Sequence, residues 1–179
     1  MRNKRHFLKT LLAIGLAAFG GHFLHAQEEG LRLHFDFDNA SGTSVADKTA
    51  SGITASLKNG AAVKEMGERH VLDLGNSNGY LDLGAQAGNL FRGLDSYTIS
   101  MYYRVADDAS LSGAGFFLWS FSTEAACTQT AGKFSAYRLN AQRFANSTGG
   151  WGNEHGIEIG APSEKGKWMH VLYTQNGAN

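Results

Sequence analysis

The 179-residue sequence contains one cysteine and one proline. A lone thiol, Cys127, closes no internal disulfide, so a domain built from this chain is held by its core alone. Beyond residue 30, no stretch of ten or more residues carries helical periodicity, which leaves strands to form the fold. Excess charge of one sign is absent too, since 16 Lys+Arg balance 16 Asp+Glu. Nucleic acid and anionic membranes reward clustered Lys/Arg, and the chain has no such block. Signatures of catalysis are also lacking. There is no Gly-x-Ser-x-Gly elbow, no phosphate-cradling glycine loop, no dinucleotide fingerprint and no paired His/Cys spacing for zinc.

The longest apolar run, Leu11 to Gly21, falls short of the roughly 20 residues that span a membrane. It follows the basic head Arg2, Lys4, Arg5 and Lys9 and precedes a small residue, Ala26. That order predicts a secretory signal peptide over residues 1–26, and hence export to the periplasm, cell surface or medium. Cleavage removes four basic residues and no acids, leaving 12 Lys+Arg against 16 Asp+Glu over residues 27–179.

What is present is strand signal. Short runs rich in β-branched and aromatic residues alternate with Gly, Asn, Asp and Ser, the pattern of an all-β sandwich or barrel. Strands are predicted at 31–38, 54–58, 70–74, 79–83, 97–105, 116–121, 133–139, 155–160 and 167–174, in one domain spanning 27–179. Twenty-three glycines suit the many turns between them. In the opening strand Leu31, Leu33, Phe35 and Phe37 alternate with Arg32, His34, Asp36 and Asp38. This predicts Phe35 and Phe37 in the core and both acids on the wet face. The last strand runs into Asn176-Gly177, a hairpin signal with no partner behind it. The expectation is a longer parent protein with further strands and domains, or an exposed edge strand.

Five segments, in order, resemble the laminin-G-like branch of the concanavalin A-like lectin/glucanase superfamily. They are "LHFDFDNASGTSVAD", "DKTASGITASLKNGA", "HVLDLGNSNGYLDLG", "YTISMYYRV" and "GKWMHVLYTQNG". The chain departs from the family's pattern in the turn at 47–55, at Tyr102 where Trp is common, and in lacking the family's final strands. The resemblance implies an antiparallel two-sheet jelly-roll sandwich, truncated at its C-terminal side. It also implies glycan binding, with protein adhesion or glucanase activity as alternatives. Asp38 and Asp47 could contribute to a structural calcium site, with Asn39 or Asn78 nearby, though calcium needs six to eight oxygens. Solvation and turn capping are the simpler role for the acids.

Retaining glucanases of that superfamily need two carboxyls about 5–5.5 Å apart. The nearest match is "EHGIEIG", where Glu154 and Glu158 share a strand face roughly 13 Å apart with Gly156 between them. No catalytic residue is assigned on that basis. Carbohydrate is the expected partner, and the stretch 137–156 carries the groups suited to it. Trp151, between Gly150 and Gly152, offers a stacking ring, while Arg138, Asn140, Arg143 and His155 offer hydrogen bonds to hydroxyls. Trp119 and Trp168 lie in dense strands and are expected in the core, and His170 is expected as a packed structural histidine.

Overall fold

The computed structural model describes residues 30–75, 78–111, 116–123, 127–160 and 164–177; the expected signal peptide lies outside them. Strand dominates, with 47% of the described residues in strands against 8% in helix, so the all-β class holds. The named strands form four open antiparallel sheets among the described residues. No helix among those residues is long and apolar enough to cross a membrane. Two units separate after Arg92.

In the first unit, β1 (Ala40–Ser41), β2 (Ser44–Ala46), β3 (Thr54–Lys58) and β6 (Tyr80–Asp82) form one sheet in the order β1-β2-β3-β6. A hairpin of β4 (Ala62–Met66) and β5 (Arg69–Asp73) makes a second. A tight turn carries the chain from the first sheet into the second. Asn59 and Gly60 between β3 and β4 both take positive φ, 54° and 85°, the mirror-image turn that Asn-Gly favours. Val45 and Ala55, paired across β2 and β3, are fully buried. A short helix, α1 (Gly84–Phe91), follows and buries Ala87; its eight residues are too few to declare a period in the sequence.

The opening strand requires correction. Residues 31–36 form no β-ladder, and the chain bends at Phe37, whose φ is 68°. An aromatic residue in the left-handed region ends an extended run and costs roughly 1–2 kcal/mol. Leu33 and Phe35 do alternate with exposed neighbours, but Phe35, Asp36 and Phe37 are all half-buried, so the expected division of faces fails there. The segment is tied down instead by His34, whose N–H donates to Asp47 Oδ1 at 2.6 Å and whose carbonyl accepts from Lys48 N–H at 2.9 Å.

The second unit is a two-layer sandwich. One layer is β7 (Ser96–Arg104) paired with β12 (Trp168–Asn176) over nine residue pairs. The other holds β8 (Phe117–Ser122), β9 (Phe134–Arg138), β10 (Arg143–Ser147) and β11 (Glu154–Glu158) in the order β11-β10-β9-β8. Between them lie Tyr103, Val105, Trp119, Tyr137 and Val171, with Phe144 and Tyr173 packed against this group. Rings interlock across the layers, Phe144 stacking on Tyr173 at 4.9 Å and Trp119 on Tyr137 at 5.2 Å within its own sheet. Burial pushes the Tyr137 phenol well above its ordinary pKa, as expected for a ring inside an apolar layer. Trp119 is in the core as expected, 7% exposed, but Trp168 is not, at 51%.

Candidate functional site

Side-chain alternation sorts the residues of the β8–β11 sheet onto two faces. Tyr137 and Phe144 point inward as a direct pair. One residue along, Arg138 and Arg143 are paired, and Arg143 is paired in turn with Glu158. These three, with Glu154, occupy the opposite face, on which Ala136, Ala145 and Ser147 are buried. A bulge between Phe117 and Trp119 sets Phe117 beside Arg138, its ring 5.5 Å from the guanidinium carbon.

The four charged groups form one lattice. Arg138 Nη2 donates to Glu154 Oε2 at 2.5 Å, Arg143 Nε to Glu154 Oε1 at 2.9 Å, and Arg143 Nη1 to Glu158 Oε2 at 3.4 Å. Glu154 is the hub, with a side chain only 9% exposed. Gly156 makes room for it. A Cβ there would lie 3.1 Å from Arg143 Nε and 2.2 Å from the Phe144 carbonyl oxygen, so any larger residue would push into the strand and the guanidinium. Glu154 and Glu158 do share a face, as the sequence implies, but Arg143 stands between them and Glu154 serves as the common anion of two guanidiniums. Two positive and two negative groups leave the lattice electroneutral.

Trp151 stands elsewhere, on a 3-10 turn (Trp151–Asn153) between β10 and β11. Its glycine neighbours are there for a different reason from an uncrowded loop. Gly150 N–H donates to Gly132 O at 2.7 Å, Trp151 N–H to Thr128 O at 3.0 Å and Gly152 N–H to Gln129 O at 2.8 Å. A Cβ on Gly150 or Gly152 would come within 2.5 or 2.7 Å of that neighbouring backbone. The Ser147 hydroxyl caps the turn by donating to Gly150 O at 2.5 Å. The backbone is clamped and the indole is left 51% exposed.

The five residues expected to share one glycan site are therefore distributed. Arg138 and Arg143 are together, bound to Glu154. Asn140 lies in the turn 139–142 at their end of the sheet. Trp151 is at the other end, the length of β10 away, or roughly 13 Å at about 3.3 Å per residue. His155 pairs with Asn146 and, one residue after Glu154, belongs to the opposite face.

In the first unit, Asp47 organises a turn. Oδ1 accepts from His34 N–H, and Oδ2 accepts from Thr49 N–H, the Thr49 hydroxyl and the Ser51 hydroxyl. Burial raises the pKa of this carboxyl, but those four donors outweigh it and hold it below the ordinary aspartate value. All four donors come from the protein's own turn, the capping role that is the simpler one for this acid. Asp38 is engaged separately, with His70 Nδ1 2.8 Å from its Oδ1 and Glu65 3.9 Å from His70 Nε2. These groups rim a cleft of about 400 Å³ over Leu57, Ala40 and Val63. No group of three or more His, Cys, Asp or Glu suited to a metal ion occurs among the described residues.

The sequence reading passed over a third surface. On the outward face of the β7–β12 pair, Trp168 lies opposite Arg104, His170 opposite Tyr102, and Leu172 opposite Ser100. Tyr102 is 66% exposed, and its ring stacks on His170 at 4.3 Å and 14°. His170 is thus not packed inside. The signal was present as phase, because Trp168, His170 and Leu172 fall on the opposite alternation from Met169, Val171 and Tyr173, which face the core.

No protein-family model, curated protein or solved structure matches the chain.

Proposed function

We propose that the chain is an exported, non-catalytic carbohydrate-binding module of the laminin-G-like kind, accessory to a protein that acts on polysaccharide. The observation that carries this reading is Trp151, half-exposed on a backbone fixed by three hydrogen bonds. A sugar's C–H face stacks on an aromatic ring, and a ring held in place loses little freedom on binding. The charges of the β8–β11 sheet are held in pairs, two Arg with two Glu, and add no net charge to the surroundings of Trp151, which favours an uncharged glycan.

The test is retention on neutral polysaccharide gels and a glycan array. Trp151→Ala should weaken retention by about tenfold or more, since a stack contributes on the order of 1 kcal/mol beyond its area. Thermal unfolding should stay unchanged, because the indole is not in the core. Retention that survives Trp151→Ala, or a full chain that binds no glycan and instead captures a protein ligand, would replace this reading with that of an adhesion module.

A further inference from the structure

We propose that strand β11 is an interface between two copies of this chain, which pair antiparallel about Ile157 and join their four-stranded sheets into one. Nothing in this rests on what the chain binds. Among the described residues β11 is the last strand of its sheet, bonded to β10 on one side only. Residues 155–160 are all exposed.

The apolar side of this edge is uncovered. Ile157 is paired with Phe144, and so shares the core-facing side of the sheet with Phe144 and Tyr137. Ile157 is nevertheless 73% exposed, and Ile159, two residues on, is 62% exposed. The layer opposite explains why. It has two strands against four, and the core draws residues from β7, β8, β9, β10 and β12 but none from β11. Two isoleucines in water beside an open edge form a surface that a neighbouring strand would cover. Devices that keep an edge solitary are absent, since 154–160 contains no Lys and no Pro, and its pairing with β10 has no bulge. Its two carboxylates lie on the other side, held by Arg138 and Arg143.

The register of the strand names the partner. Ile159 N–H donates to Gln142 O, so His155, Ile157 and Ile159 direct their backbone groups to β10, while Glu154, Gly156 and Glu158 direct theirs outward. A second copy with the two-fold axis at Ile157 sets Gly156 opposite Glu158, where these outward groups exchange hydrogen bonds. Ile157 then meets Ile157, His155 meets Ile159, and Glu154 meets Gly160. Each glutamate faces a glycine, which leaves it room, and the apolar side runs unbroken across the junction. Moving the axis by one residue destroys this match. At Gly156 it sets Glu154 opposite Glu158, and at Glu158 it sets that carboxylate opposite itself, both unfavourable like-charge pairs. A segment complementary to its own reverse is what an isologous contact requires. One short strand per copy is small beside the roughly 800 Å² per partner of a standard interface, so the dimer is weak and concentration-dependent.

The experiment is analytical ultracentrifugation of the full chain over rising concentration. The native mass should climb from that of one chain toward that of two. Ile157→Lys should stay at one, with the melting temperature of the native monomer, since this side chain lies outside the core. In the non-hydrogen-bonded pair at the axis, the two Ile157 Cα atoms are about 4.5 Å apart, within disulfide reach. Ile157→Cys should therefore crosslink in oxidised glutathione about tenfold or more faster than Ile159→Cys, which faces His155, or than the native chain with Cys127 alone. A native chain that is monomeric throughout overturns the proposal, as does a dimer that persists in Ile157→Lys. Crosslinking of Ile157→Cys no faster than that of Ile159→Cys overturns it too.

Discussion

The charged face of the β8–β11 sheet and the ring-bearing face of the β7–β12 pair use the same strand geometry to opposite ends. On the β8–β11 sheet, Arg138, Arg143, Glu154 and Glu158 close upon one another, and the hub carboxyl is nine-tenths buried. On the β7–β12 pair, the rings of Tyr102 and Trp168 are more than half exposed, and no residue of the face is acidic. The first face satisfies its own charges, so the loss of any one partner leaves a buried charge behind. The second leaves large rings in water, a cost that packing within the chain does not relieve. Polar composition therefore says little about which surface meets a ligand. Polar groups are partnered on both faces; what distinguishes them is that only the second leaves large rings, Tyr102 and Trp168, more than half exposed.

The largest effect that would break this contrast is expected at Glu154. Removing a carboxyl this buried strands Arg138 and leaves Arg143 only its longer contact with Glu158, and breaking such a pair by deleting one partner costs about 3–5 kcal/mol. Glu154→Ala should therefore lower the free energy of unfolding by that amount in a denaturant titration. A loss below about 1 kcal/mol would mean that the lattice behaves as ordinary surface ion pairs do, and that this face is as open to ligands as the other.

A smaller effect is expected at Gly156. Its strand position suits any residue, but the space above it belongs to Arg143 Nε and the Phe144 carbonyl. Gly156→Ala should cost about 1–3 kcal/mol, the usual range for overpacking. Measured beside Glu154→Ala, it should also be less than additive in the double mutant, because both act on Arg143. Full additivity would separate the glycine from the lattice and assign it to backbone pairing alone.

The sequence was readable where a signal is local. β3 runs over Thr54–Lys58 as the alternation implies, and Asn59-Gly60 makes its turn. It was misleading where the outcome depends on a partner. Residues 31–36 have a strand's alternation without a neighbour to pair with. β10 was hidden because "RFANS" has one large apolar side chain, Phe144, and its other positions are polar or small, serving a lattice that forms only once three strands are in register. The partnership of Arg138 with Glu154 spans 16 residues and is likewise a product of register. Trp168 was misplaced for a simpler reason. Density of apolar residues in "KWMHVLY" suggests a core, while the alternation within it puts the tryptophan on the outer side.

The smallest expected effect falls on the exposed face, at Tyr102. Its ring makes one stacked contact, with His170 at 4.3 Å, and is otherwise two-thirds in water. Cross-strand aromatic pairs contribute roughly 0.2–1 kcal/mol relative to alanine pairs. Tyr102→Ala should thus cost less than about 1 kcal/mol, against the 3–5 kcal/mol expected for Glu154→Ala. His170 keeps its contact with Ser100 Oγ, 2.9 Å away, so the strand pairing is not left dependent on the ring. The comparison is sharpest when both variants are measured in the same denaturant series with the slope held constant, since a changed slope would signal altered compactness instead. A loss at Tyr102 equal to that at Glu154 would show that the ring face supports the fold after all, and the distinction between a closed face and an open one would fail.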